Sequence, residues 1–252
     1  MKEFLFDISK QAGRISLEYK AKLSSMQVTK KSDKDLVSEG DLAVEAYLID
    51  RIRAQYPSHA ILGEESGAYG DNACRWIIDP IDGTTSFVHG QPFYSISIAL
   101  EKDGDIILGA VNAPVLKELF FAEKGQGAFC NGEPIHVSKR DTLIDSVLGT
   151  GFACVRSDLE HDNLPYFNKI LPKIRGIRRY GSCAIDLSYV ASGRLEGFWE
   201  LNLNLYDMAA GLLILTEAGG CVTDFAGDTQ KLPGQLVATN GLIHEELLTY
   251  LT

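Results

Sequence analysis

Several things are scarce in this chain. Its five cysteines, at 74, 130, 154, 183 and 221, stand far apart and contain no CxxC pair. That pattern excludes a disulfide framework and a thiolate zinc site, and it points to a reducing compartment, the cytoplasm. No stretch approaches the ~20 apolar residues that a membrane-spanning helix needs. The opening residues MKEFLFDISK carry Asp7 inside a short apolar run, with no small-residue cleavage site after it, so no secretory signal is expected. Eight prolines form no tract that could serve as a linker. Positive charge is in deficit: 24 Lys and Arg face 34 Asp and Glu, a formal net charge of −10. Nucleic-acid binding needs a basic surface, so direct contact with nucleic acid is not expected. An acidic balance suits a chain that gathers carboxylates, or one merely kept soluble by charge.

What is present is ordinary globular material, 45% hydrophobic and 23% charged over 252 residues. That length accommodates one large core or two lobes sharing an interface. Leu5, Ile8, Ala12, Ile15 and Tyr19 recur at helical steps, and Val44, Leu48 and Ile52 mark a second helix ending before Pro57. Ser38-Glu39-Gly40-Asp41 has the capping-box pattern, which places Asp41 in that helix's first turn. Strands follow at Trp76–Ile78, on either side of Asp103-Gly104, and around Asn131-Gly132, both hairpin dipeptides. From about Leu143 strands alternate with helices, the longest being YDMAAGLLILTEAGG. Two units are expected: residues 1–142, helices over a largely antiparallel sheet, and residues 143–252, a smaller α/β lobe.

Within RWIIDPIDGTTSFVHG an apolar strand runs into Asp79 and Asp82, only three residues apart. Carboxylates that close are costly to desolvate unless a cation lies between them. Asp41, Glu64-Glu65, Asp79, Asp82 and Asp207 each sit at the edge of an expected element, beside glycine or a turn. Oxygen donors of this kind suit a hard cation such as Mg²⁺. Gly83-Thr84-Thr85 then opens a short helix, whose first N–H groups suit a phosphate. Taken singly, each acid has a plainer structural role: a helix cap, a solvated pair, a turn. Gly125-x-Gly127 reads as a tight hairpin rather than a nucleotide fingerprint.

The block WIIDPIDGTTSFVHG closely resembles the first signature of the inositol monophosphatase family, and YDMAAGLLILTEAGG resembles its second. DLVSEGD, YPSHAILGEES, KGQGAFCNGEPIHVS and RRYGSCAIDLSYVASGRLEGFWE resemble intervening segments, so the likeness runs from about Lys30 to the last helix. It implies an α+β fold, a layered αβαβα sandwich of the sugar-phosphatase type. It also implies hydrolysis of a small phosphate monoester, most closely inositol 1-phosphate, by a metal-activated water, with two or three Mg²⁺ ions, lithium sensitivity and a homodimer. Carried onto this chain, Glu64, Asp79 and the Ile81 carbonyl would hold one ion, and Asp79, Asp82 and Asp207 a second. Glu64 would hold a third through water. Glu64, Thr84 and Asp41 would serve catalysis. Asp82, Gly83, Thr84, Ser182, Cys183, Glu200 and Asp207 would surround the substrate, with Lys30 a basic residue nearby. Tyr206 stands where the family has Trp.

Other substrates within the same chemistry are fructose 1,6-bisphosphate, histidinol phosphate and NADP. A regulatory binding protein of the same fold is the alternative from another class, with the basic run KIRGIRR, 173–179, as its sequence support.

Overall fold

The computed structural model describes residues 1–32, 35–156 and 162–251. The chain opens with α1 (Lys2–Lys20), the hairpin β1 (Val28–Ser32) and β2 (Asp35–Ser38), and α2 (Glu39–Gln55). Next come β3 (Ala60–Gly63), β4 (Gly67–Tyr69), β5 (Cys74–Asp82) and the short α3 (Thr84–Val88). Strands β6 (Ser95–Lys102), β7 (Asp105–Ala113), β8 (Glu118–Glu123), β9 (Ala128–Cys130) and β10 (Glu133–Ile135) form a meander. The remainder is β11 (Val147–Thr150), α4 (Ala153–Arg156), α5 (Leu164–Ile170), β12 (Gly176–Arg178), α6 (Cys183–Ala191) and β13 (Gly197–Leu201). It ends with α7 (Leu205–Glu217), β14 (Cys221–Thr223), β15 (Gln235–Thr239) and α8 (His244–Leu248).

Among the described residues the strands make three sheets. Apart from the β1–β2 hairpin, one has the order β10-β9-β8-β7-β6-β5-β3-β4 and the other β12-β11-β13-β15-β14. The larger is antiparallel except where β3 runs parallel to β5. The smaller is mixed, β11 lying parallel to β12 and β13.

Alternation along the strands builds the layers. Trp76, Ile78, Ile96, Ile98 and Leu100 face one way, onto Leu5, Ile8 and Ala12 of α1 and Val44, Leu48 and Ile52 of α2. Ile77, Ala99, Val111 and Phe120 face the other way, onto α6 and α7, with Phe198 and Ala238 of the smaller sheet closing the same core. Leu148, Trp199 and Val237 point out of that sheet's far face, onto Ile170, Ile243 and Leu247. The result is helix, sheet, helix, sheet, helix, the αβαβα sandwich. Among the described residues no helix is long and apolar enough to cross a membrane.

Candidate active site

In a regular strand, residues three apart point to opposite faces, and Asp79 and Asp82 would be separated by the sheet. Against β6, Asp79 pairs with Ser97 but Asp82 with Ser95, so β5 carries one extra residue. This bulge returns both carboxylates to the face that meets α6 and α7. Ser95 Oγ lies 3.1 Å from Ser182 Oγ, and Ser97 Oγ donates to the Tyr206 carbonyl at 3.4 Å. Pro80 has no N–H to donate, and a bulge tolerates that within a sheet. Ile81 N donates to Asp79 Oδ1 at 3.1 Å and closes the bulge. Asp82 thus belongs to the strand itself, not to a turn after it as the sequence pattern suggests.

Gly83 follows with φ of 98°. A Cβ there would lie 3.0 Å from the carbonyl oxygens of both Gly181 and Phe93, so conformation and space both demand glycine. Thr84, the first residue of α3, has its Oγ1 3.0 Å from Asp41 Oδ1 and 3.1 Å from the Ile81 carbonyl, and donates toward both. Asp41 comes from α2. Its Oδ2 accepts from Ser38 N at 2.9 Å and from Ser38 Oγ, while Gly40 N and Asp41 N donate to Ser38 Oγ. The carboxyl group of Asp41 is pushed up to about 6, first by burial and also by the nearby Glu64 charge, with hydrogen bonds from Ser38 and Thr84 pulling it back.

Asp82 is held by the start of α6. Ser182 Oγ and Ala184 N donate to its Oδ2 at 2.6 and 2.7 Å, and Cys183 N to its Oδ1 at 3.2 Å. Burial nevertheless pushes Asp82 up to about 6, against those hydrogen bonds. Asp79 stands well above the ordinary carboxylate range because of burial and then the charges of Glu64, Asp82 and Asp207. Asp207 accepts from Asn204 N at 2.6 Å at the head of α7, and burial followed by Asp82 drives it well above the ordinary range. Four carboxylates from β5, the β3–β4 turn and α7 therefore form one electrostatic cluster.

Glu64 stands close enough to Asp79 to be, after burial, the next cause of its upward shift. Among the described residues no three acidic, imidazole or thiol groups already converge as a finished coordination shell. The donor set still fits a hard cation: every charged group in it is a carboxylate, and these buried acids repel one another until protons or a cation intervene.

Glu200, buried on β13, accepts from Ala153 N at 3.0 Å, and its charge is felt at Asp207. A Cβ at Gly151 would collide with its carboxylate. Ser182 caps α6, accepting from Ile185 N at 3.2 Å while donating to Asp82. The Cys183 side chain lies in the central core, where burial pushes its thiol well up, and only its N–H meets Asp82. Lys30 is exposed on β1, and among the described residues it makes no hydrogen bond or ion pair to the cluster.

Two site residues were not singled out from the sequence as functional. Tyr206, noted there only as a replacement for Trp, stands by the cluster: its phenol is pushed far up by burial and then by Asp207, Glu64 and Asp79. Glu45, one helical turn after Asp41, is 2% exposed and takes two backbone N–H groups from the β3–β4 turn. Its readable signal was its place in the apolar stripe of Asp41, Val44, Leu48 and Ile52, where a solvated acid does not belong.

Comparison with known proteins agrees with this architecture. The model of the inositol monophosphatase family matches residues 1–252. An inositol-1-monophosphatase of Mesorhizobium japonicum is 39% identical over 241 residues, 94% of this chain and 91% of that one. The Nus factor SuhB of Pseudomonas aeruginosa is 41% identical over 248 residues, 96% of this chain and 92% of that one. The crystal structure of the extragenic suppressor protein suhB of Bartonella henselae superposes with a TM-score of 0.94 at 38% identity, covering 100% of this chain and 98% of that one.

Proposed function

This chain belongs to the inositol monophosphatase family and is a phosphoric monoester hydrolase, and from that premise we propose that it cleaves inositol 1-phosphate in a Mg²⁺-dependent reaction. The observation that carries this reading is the β5 bulge, which turns Asp79 and Asp82 to one face beside Asp207 and the Thr84–Asp41 pair. Glu64, Asp79 and the Ile81 carbonyl would hold one ion, Asp79, Asp82 and Asp207 a second, and Glu64, through water, a third. Mg²⁺ bound there supplies positive charge to the ester and makes a water more acidic.

The chain's own groups do the rest. Thr84, by donating to Asp41, leaves its hydroxyl oxygen free to accept from a water and aim it. Asp41, close to titrating near neutral pH, is suited to take up the proton that this water sheds toward Thr84. The N–H groups of Gly83 and Thr84 would hold the phosphate. Glu200, Ser182 and Asp82 would line the polyol side, Cys183 supporting them only through its backbone N–H to Asp82, with Lys30 brought in from the β1–β2 hairpin. A homodimer and inhibition by lithium belong to the same reading.

The experiment is phosphate release from inositol 1-phosphate with and without Mg²⁺, with fructose 1,6-bisphosphate, histidinol phosphate and NADP alongside. Strong Mg²⁺-dependent turnover of inositol 1-phosphate is expected. Turnover of another ester alone would keep the metal site and overturn the substrate; turnover unaffected by Mg²⁺ would overturn the metal.

A second role has its own support, since a relative 41% identical is named a Nus factor. The basic run 173–179 offers an exposed surface for it, with Arg175 paired to Asp145 and Arg178 bonded to its neighbour's carbonyl. Capture of a transcription factor that persists in Asp82→Asn would establish that role apart from hydrolysis.

A further inference from the structure

Asp41 and Glu45 are four residues apart on α2, so both face the site one above the other. Asp41 takes Thr84; Glu45 takes the turn that carries Glu64. Glu45 Oε2 accepts from Glu65 N at 3.0 Å, and Oε1 from Ser66 N at 2.8 Å. The carboxylate lies against Gly63, where a Cβ would be 2.8 Å from both its Cδ and Oε1. Gly63 pairs with Gly67, which makes residues 64–66 the whole connection between β3 and β4. Glu64 N donates to the Ile78 carbonyl at 3.2 Å, immediately before Asp79. The turn is thus anchored twice, to β5 at its first residue and to α2 at its second and third.

We propose that Glu45 is a positioning residue: together with Asp41 it makes α2 a ruler that places Glu64 against Asp79, Asp82 and Thr84, and so sets the affinity for the divalent cation. At 1.5 Å rise per residue, the two acids hold their loops ~6 Å apart along one helix. A carboxylate suits this task because it accepts from two adjacent N–H groups at once. Glutamine would turn one acceptor into a donor facing an N–H. Residues that support metal ligands from behind change affinity by roughly 10–100-fold when altered. The assignment rests on the Mg²⁺ reading of the cluster.

The test uses the full chain in four forms: wild type, Glu45→Gln, Glu45→Asp and Gly63→Ala. Amide proton resonances of Glu65 and Ser66 report the anchor, calorimetric titration with MgCl₂ reports affinity, and the urea midpoint reports stability. In Glu45→Gln both resonances should move upfield and Mg²⁺ binding should weaken roughly 10–100-fold, with Glu45→Asp recovering part of the loss. Gly63→Ala, which pushes on the carboxylate from the other side, should weaken binding in the same direction even if Glu45→Gln does not fold. Moved resonances or a lowered urea midpoint with Mg²⁺ affinity unchanged would overturn the positioning role and leave the metal site standing. A folded wild type that takes up no Mg²⁺ would overturn the metal reading, and this assignment with it.

Discussion

Thr84 has one hydroxyl proton and two acceptors within reach, Asp41 Oδ1 and the Ile81 carbonyl. Whichever it serves, its oxygen keeps lone pairs for a water, and that makes the hydroxyl more than a helix-start residue. Thr84→Val keeps the shape and removes this group. Because Asp41 still accepts from Ser38, the fold should survive. Turnover at saturating Mg²⁺ should fall about 100-fold or more, the range for loss of a positioned proton-transfer group, while Thr84→Ser should retain most of it. Equal turnover in the Val and Ser variants would remove Thr84 from the chemistry. In the sequence, only the family resemblance groups Asp41 with Thr84, as residues that serve catalysis. Nothing in the spacing of Asp41 and Thr84, 43 residues apart, says that they touch.

At the scale of elements, α7 joins two distant tasks. Its head presents Asp207, and its tail presents Glu217, whose carboxylate accepts from Gly125 N at 2.7 Å and Gly127 N at 2.8 Å. The Gly-x-Gly pair, both at positive φ, is thereby a loop pinned to the middle helix layer. Glu217→Ala leaves two amides without their charged acceptor and should cost about 1–3 kcal/mol, read from the urea midpoint. Turnover should stay at the wild-type level, because ten residues of helix, ~15 Å, separate the loop from Asp207. A drop in turnover without loss of stability would show that the α7 tail communicates with the site.

The helices and most strands were legible because their burial follows a period of 3.6 or 2, as in Leu5-Ile8-Ala12 and Ile96-Ile98-Leu100. The hairpins at Asp103-Gly104 and Asn131-Gly132 were legible because both dipeptides supply the positive φ their turns need. The polar β1–β2 hairpin lacks any apolar alternation and passed unnoticed. The β5 bulge was illegible for a related reason: a single inserted residue leaves no mark in composition, yet it decides which face Asp82 shares. The acids are therefore visible one by one in the residue pattern, and their convergence only through the family resemblance.

For the whole molecule, the buried acids impose a pH dependence of one sign. Asp41, Asp79, Asp82, Asp186 and Asp207 are all raised, burial being the first cause in each. Raised values mean that the folded chain holds more protons than the unfolded one above the ordinary carboxylate range. The contribution of these acids to the stability of the metal-free protein should therefore fall as pH rises from about 4 through about 6, where Asp41 and Asp82 titrate, and continue to fall above it, while the lowered His59 and His244 act in the opposite sense. Asp41 alone contributes on the order of 3 kcal/mol to that fall. Asp145 and Asp224 are lowered, so their stabilisation is lost only below the ordinary carboxylate range, outside this window. A divalent cation binds the ionised cluster and must displace whatever protons it carries. Added Mg²⁺ should raise Tm far more at pH 8 than at pH 5.5, with NaCl of matched ionic strength as the control. Calorimetric scans at both pH values check this. An equal gain at both would mean that the cation binds groups whose charge does not change across that interval, and such groups are not these carboxylates.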